Sequence, residues 1–269
     1  MPPHTKASRG VRHVLRPFTP LYKEPGFNTS QQLMELVFGQ GFDVYDEENG
    51  WALGRVVSLV PQTSRQTYVG CVSLDSLGAP ISEPSHFISV LSAPMFSQSD
   101  LKSQIVLSLP LGAAVSVVAE EGDYFRIGEG QWLHRLHARP KTQPFQDFVE
   151  VAQLYLGQSY VWGGNGARGV DCSGLVQMSS AVCGIDSPRD ASQQELHLGE
   201  RLDFNEGDAL PDLQRGDLLF WLGHVGILSA PDSLLHANAT HMMCVEEPLL
   251  PALQRMSEGG VDLRSIRRF

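Results

Sequence analysis

The stretch Asp171-Cys172-Ser173-Gly174 constrains this chain most, because it places a cysteine where a helix begins. Upstream, Tyr160-Val161-Trp162-Gly163-Gly164 is a short apolar and aromatic run ending in a Gly-rich turn. Downstream, Leu175, Val176, Ser179 and Val182 recur at helical spacing with neither Pro nor Gly between them. A thiol in the first turn of a helix faces unpaired backbone N–H groups and the positive end of the helix dipole. Both favour thiolate over thiol. The expectation is a reactive cysteine.

The chain has four cysteines, Cys71, Cys172, Cys183 and Cys244, and only Cys172 has a helix start beside it. Cys71 sits in a strand-like run, Cys183 near the end of the expected helix and Cys244 in another apolar stretch, so these three read as packing residues. No pair has CxxC spacing, which argues against a zinc site or a thioredoxin-like redox pair.

A cysteine nucleophile needs a base, and three strand-like segments supply candidates. Arg215-Gly216-Asp217 leads into Leu218–Trp221; Leu222-Gly223-His224 opens a second strand through Leu228; Leu234-Leu235-His236-Ala237-Asn238 reads as a third. Histidines entering neighbouring antiparallel strands stand side by side. Of nine histidines, His224 is then the candidate general base and His236 the group that orients its imidazole. A His/His/Cys zinc site is the rival chemistry, but zinc sites normally show a closely spaced ligand pair, and none occurs here. No metal and no cofactor is expected.

The rest of the chain reads as β structure. Phe42–Tyr45, Gly50–Val57 and Thr67–Val72 are strand-like runs between turns, and Phe87–Val90, Ala114–Val118, Tyr124–Ile127 and Gln131–Leu133 repeat the scheme. A Ser, Pro and Gly-rich segment, Asp75 to Ser85, separates the blocks, and Arg139-Pro140-Lys141-Thr142 ends the second. These landmarks divide the chain into residues 1–82, 83–141 and 142–269.

Taken in order, Tyr160–Gly164, Asp171–Val176, Arg215–Phe220, Gly223–Ile227 and His236-Ala237 resemble the successive motifs of the NlpC/p60 cysteine peptidases, over roughly residues 143 to 269. These are papain-like enzymes that cleave bacterial cell-wall peptides. The resemblance implies an α+β fold, with a cysteine-bearing helix packed on a short antiparallel sheet that carries the histidines. It also implies a Cys172, His224, His236 triad, with Tyr160 beside the nucleophile at the oxyanion site. The two all-β units resemble small bacterial SH3-like barrels, and the whole order is similar to the γ-D-glutamyl-L-diamino acid endopeptidases. Their substrates are small murein peptides, L-Ala-γ-D-Glu-diamino acid, with a free N-terminal L-Ala.

An N-terminal ammonium needs acceptors and negative charge, because a desolvated cation without partners is costly. By resemblance, Asp171 helps bind the amine, Tyr68 shares the task, and Glu35 is the acidic candidate from the first β unit. Asp190 matches a further subsite acid, and Trp162 and Ser173 are further substrate-binding candidates. Where the family often has Ser after that Asp, this chain has Ala191, and Ser192 is the candidate substitute. Each has a plainer reading: Asp171 as a helix cap, Tyr68 as barrel packing, Arg189-Asp190 as a local surface ion pair.

Met1 to Ser30 holds no apolar core of signal-peptide length, and no stretch approaches the roughly 20 apolar residues that span a bilayer. With cysteines that need no disulfide, the expectation is a cytoplasmic protein acting on imported fragments. The net charge of −10 argues against nucleic acid or teichoic acid as partner, and no membrane partner is expected. The oligomeric state stays open. The alternatives are a papain-like amidase or acyltransferase, and a non-catalytic wall-peptide binding protein.

Overall fold

The sequence alternates between strand-forming runs and turns up to Pro140 and mixes helices with strands beyond it, and the structure divides accordingly. A computed structural model describes residues 7–27, 30–57, 68–79, 84–204 and 209–269. Two compact units result, Met1–Pro144 and Phe145–Phe269. Thr67, expected to start a strand, and residues 80–83 of the expected separator lie outside the described residues.

The first unit opens with Gly10–Val14 (β1), Phe18–Tyr22 (β2), Gln32–Val37 (β3), Gly41–Glu48 (β4), Trp51–Val56 (β5), Val69–Ser73 (β6) and Leu77–Gly78 (β7). They form one antiparallel sheet in the order β3-β2-β6-β5-β4-β1-β7. The period-two alternation is clearest in β5, where Ala52 and Val56 face a core with Leu21, Leu36, Phe42, Val44 and Val72. The separator expected from Asp75 therefore starts too early. Leu77 and Gly78 still pair with Val14 and His13, because Leu77 belongs to this core.

The unit continues with His86–Ile88 (β8), Ser92–Phe96 (β9), Ile105–Pro110 (β10), Ala114–Val115 (β11), Ala119–Glu121 (β12), Tyr124–Gly128 (β13), Gln131–His134 (β14) and Ala138–Pro140 (β15). A five-stranded sheet, β10-β9-β14-β13-β12, and a three-stranded one, β11-β8-β15, enclose a second core around Ile88, Met95, Leu109, Val115 and Leu133. The strand expected over Ala114–Val118 stops at Val115, where pairing with β8 ends at His86. The two cores abut: Ala114 N–H donates to Phe38 O at 3.1 Å, and the Phe38 side chain packs on the second core.

The second unit joins four helices to a six-stranded antiparallel sheet among the described residues. Helices are Phe148–Gln153 (α1), Cys172–Ala181 (α2), Ala191–His197 (α3) and Leu249–Glu258 (α4); strands are Glu200–Arg201 (β16), Leu218–Trp221 (β17), His224–Ala230 (β18), Ser233–Asn238 (β19), Met243–Pro248 (β20) and Ser265–Arg268 (β21). Their order is β16-β21-β17-β18-β19-β20. Helix α2 is buried along most of its length and packs against α1, β18 and β19. Complete burial of Leu175, Val176 and Met178 contributes about 1.5–3 kcal/mol each. That fixes the end of the helix carrying Cys172. Helix α4 buries Leu249 and Ala252 against Leu228, Leu234 and Trp221. Among the described residues no helix is long and apolar enough to cross a membrane.

Candidate active site

Asp171 precedes α2 with extended backbone, and its Oδ1 accepts the Gly174 N–H at 2.7 Å, a helix N-cap. Its Oδ2 accepts the Gly163 N–H at 2.8 Å, tying the Gly-rich turn to the helix start. The approach is close enough to require Gly174, where a Cβ would lie 2.3 Å from the Gly164 carbonyl oxygen. Cys172 is thereby the first helical residue, only 6% exposed. The backbone amides of Val225 and Ser173 act on its sulfur in favour of the thiolate.

Burial works against the helix start at this thiol. Burial pushes the Cys172 thiol up to about 11, Asp171 adds to the rise, and the two amides with Arg189 offset only part of it. Desolvation of a buried anion thus opposes the preference for thiolate that a first-turn position confers.

The two histidines meet as the strand pattern predicts. Residues 224 and 236 share one face, since Ile227 pairs with Leu235 and side chains alternate. Gly226 keeps that face open, because a Cβ there would lie 2.6 Å from Leu234 Cδ1 and 3.4 Å from His236 Cβ. His224 Nε2 sits 2.9 Å from His236 Nδ1, which leaves Nδ1 as the His224 nitrogen that can serve a thiol. Burial, with His236 adding, pushes His224 down to about 3, so its resting ring is neutral. Burial also lowers His236, and Glu247 offsets only part of the fall.

Two residues that carried no sequence motif complete this line. His236 Nε2 lies 2.7 Å from Glu247 Oε1, and Arg255 donates to both Glu247 oxygens, at 2.7 and 2.6 Å. Burial opposes ionisation of Glu247, but the bonds from Arg255 and His236 carry it down to about 2. The signal for Glu247 was the β19–β20 hairpin: Leu234 pairs with Glu247, placing it on the His236 face.

The other expected residues have diverse positions. Tyr160 is tied by its N–H to Met242 O at 2.9 Å, and its hydroxyl interacts electrostatically with Cys172, Asp171 and Arg189. Burial, reinforced by Cys172 and Asp171, pushes that hydroxyl up to about 12 and keeps its proton on. Ser173 is buried, its hydroxyl 2.8 Å from Arg189 Nη1, while Trp162 is 62% exposed. Asp190 and Ser192 open α3 with exposed side chains. In the other unit, Glu35 is fully buried on β3, and Tyr68 packs against the first core.

Arg189 is not a surface partner of Asp190. It is buried and forks onto both oxygens of Asp171, at 2.9 and 2.6 Å. With the cap bonds added, the Asp171 carboxylate takes four short hydrogen bonds, two on each oxygen. Gln194 extends the clamp, its Nε2 2.9 Å from the Ser173 carbonyl oxygen. Among the described residues no His, Cys, Asp and Glu cluster is placed to hold a metal.

Residues 157–255 match the NlpC/P60 family. A gamma-D-glutamyl-L-lysine dipeptidyl-peptidase of Bacillus subtilis (strain 168) is 26% identical over 223 residues, 77% of this chain and 72% of the relative. Dipeptidyl-peptidase 6 of Lysinibacillus sphaericus is 26% identical over 244 residues, 81% and 84% of the two chains. The crystal structure of an NlpC/P60 family protein from Bacillus cereus ATCC 10987 aligns with a TM-score of 0.77 at 18% identity, over 97% of this chain and 99% of that one, a likeness of fold.

Proposed function

We propose that this chain, which carries an NlpC/P60 domain, is a cysteine peptidase that hydrolyses the γ-D-glutamyl-L-diamino acid bond of peptidoglycan stem peptides with a free N-terminal L-Ala. The carrying observation is that Cys172 heads a buried helix packed on the two strands that carry the His224–His236 pair. Two relatives named as dipeptidyl-peptidases, one of them a gamma-D-glutamyl-L-lysine enzyme, support the bond and the length of the fragment released.

Burial of both groups favours a mechanism that starts from a neutral pair. As the Cys172 sulfur attacks the γ-glutamyl carbonyl carbon, its proton passes to His224 Nδ1. The oxyanion is met by the Cys172 N–H, a first-turn donor without an intrahelical acceptor, and by the Tyr160 hydroxyl. The imidazolium then protonates the departing α-amine of the diamino acid. Water, deprotonated by His224, releases L-Ala-D-Glu from the thioester.

In this reading residues 1–82 and 83–141 are SH3-like modules and 142–269 is a papain-like domain. Asp171, Tyr68 and Glu35 are the candidates for recognising the free amine. The activity belongs to cytoplasmic recycling of murein peptides, for which four free thiols are suited. The test is a panel of L-Ala-γ-D-Glu-diaminopimelate, its lysine counterpart and the N-acetylated forms. Release of L-Ala-D-Glu from free-amine peptides alone is expected. Equal cleavage of acetylated peptides would overturn the specificity, and no cleavage of any would overturn the function.

A further inference from the structure

Three groups compete for one imidazole. His236 is fully buried, with His224 Nε2 2.9 Å from its Nδ1, and both Glu247 Oε1 (2.7 Å) and Asn238 Nδ2 (2.9 Å) against its Nε2. A neutral imidazole has one donor and one acceptor nitrogen. Glu247 and Asn238 therefore make opposite demands. A carboxylate held ionised by two Arg255 bonds only accepts. The Asn238 amide nitrogen only donates, and it cannot exchange places with its oxygen, which accepts the His241 backbone N–H at 2.9 Å.

The two demands propagate to the nucleophile. If Glu247 prevails, the His236 proton sits on Nε2, and its bare Nδ1 accepts the His224 Nε2–H. His224 then presents a bare Nδ1, ready to take the thiol proton. If Asn238 prevails, every proton in the line moves to the other nitrogen, and His224 Nδ1 is blocked. A bond to an ionised acceptor is roughly twice as strong as a neutral one. The geometry points to Glu247, clamped by Arg255, as the positioning residue that sets the tautomer of both histidines against the contrary pull of Asn238. The local fold explains its placement: α4 begins directly after β20, so Arg255 folds back onto Glu247 eight residues earlier in the chain.

The kinetic consequence rests on the proposed peptidase reading; the proton positions do not. The test is long-range proton–nitrogen correlation NMR of histidine-labelled protein at neutral pH. In the wild type, His224 and His236 are both expected with bare Nδ1 and protonated Nε2. In Glu247→Leu, both are expected reversed, with kcat falling at least tenfold, toward the roughly 10⁴-fold loss of a wrong-tautomer base, and KM little changed. Removing the opposing donor as well, in Glu247→Leu/Asn238→Leu, is expected to recover part of kcat. A wild-type His224 protonated on Nδ1, or wild-type tautomers retained in Glu247→Leu, would overturn the proposal. The wild-type spectrum decides it if the variant does not fold. Because the spectra need no substrate, a failure of peptide cleavage is read separately.

Discussion

Arg189 grips both carboxylate oxygens of Asp171, the residue that caps the helix headed by Cys172. This ion pair is buried on both sides, with side-chain exposures of 4% and 8%. Removing one member strands the other charge away from water, so Asp171→Ala or Arg189→Met is expected to cost about 3–5 kcal/mol, measured by urea unfolding. Arg189→Lys rescues little, since an ammonium lacks the two-pronged geometry. Activity on the free-amine peptide should fall in step with the folded fraction. A rise in KM alone, in Asp171→Ala protein that is still folded, would assign Asp171 to amine binding instead.

Neutral thiol and neutral imidazole at rest give a distinctive pH signature. With the thiol near 11 and His224 near 3, site-resolved iodoacetamide labelling of Cys172 is expected to accelerate about tenfold per pH unit from 6 to 9, without a plateau. A plateau at mildly acidic pH would show a resting thiolate–imidazolium pair.

Tyr160, protonated up to about pH 12, is a donor throughout the working range. Tyr160→Phe is expected to lower kcat on the order of 10²-fold with KM nearly unchanged, as loss of one oxyanion donor does. A KM effect alone would make it a substrate contact.

Acid stability follows from the same groups. His224 binds its proton near 6.5 when unfolded and near 3 when folded, so protons favour the unfolded chain and stability falls as pH drops through that interval. Glu247 adds a second window: its stabilisation is complete above about 4.5 and lost as pH falls toward 2. Melting temperature against pH is expected to fall in both windows. His224→Gln should flatten the upper one, and Glu247→Leu the lower one.

The helix from Cys172, the strands bearing His224 and His236, and their adjacency were all legible, because each rests on local periodicity and a turn. The Asp171–Arg189 fork was not. It spans 18 residues and depends on how α3 is anchored, which no local pattern encodes. Glu247 and Arg255 escaped because their role needs the β19–β20 register and the fold-back of α4. The upward push of burial on the Cys172 thiol was not legible for a different reason: position at a helix start is visible in sequence, but depth of burial is not.

In the proposed mechanism Cys172 carries the acyl group during turnover. Rapid acid quench of the enzyme with excess L-Ala-γ-D-Glu-diamino acid peptide, followed by intact and peptide mass spectrometry, tests it most directly. A transient L-Ala-γ-D-glutamyl thioester on Cys172 is expected, absent in Cys172→Ala together with all turnover. Turnover that persists in Cys172→Ala, or an adduct confined to another residue, would contradict it.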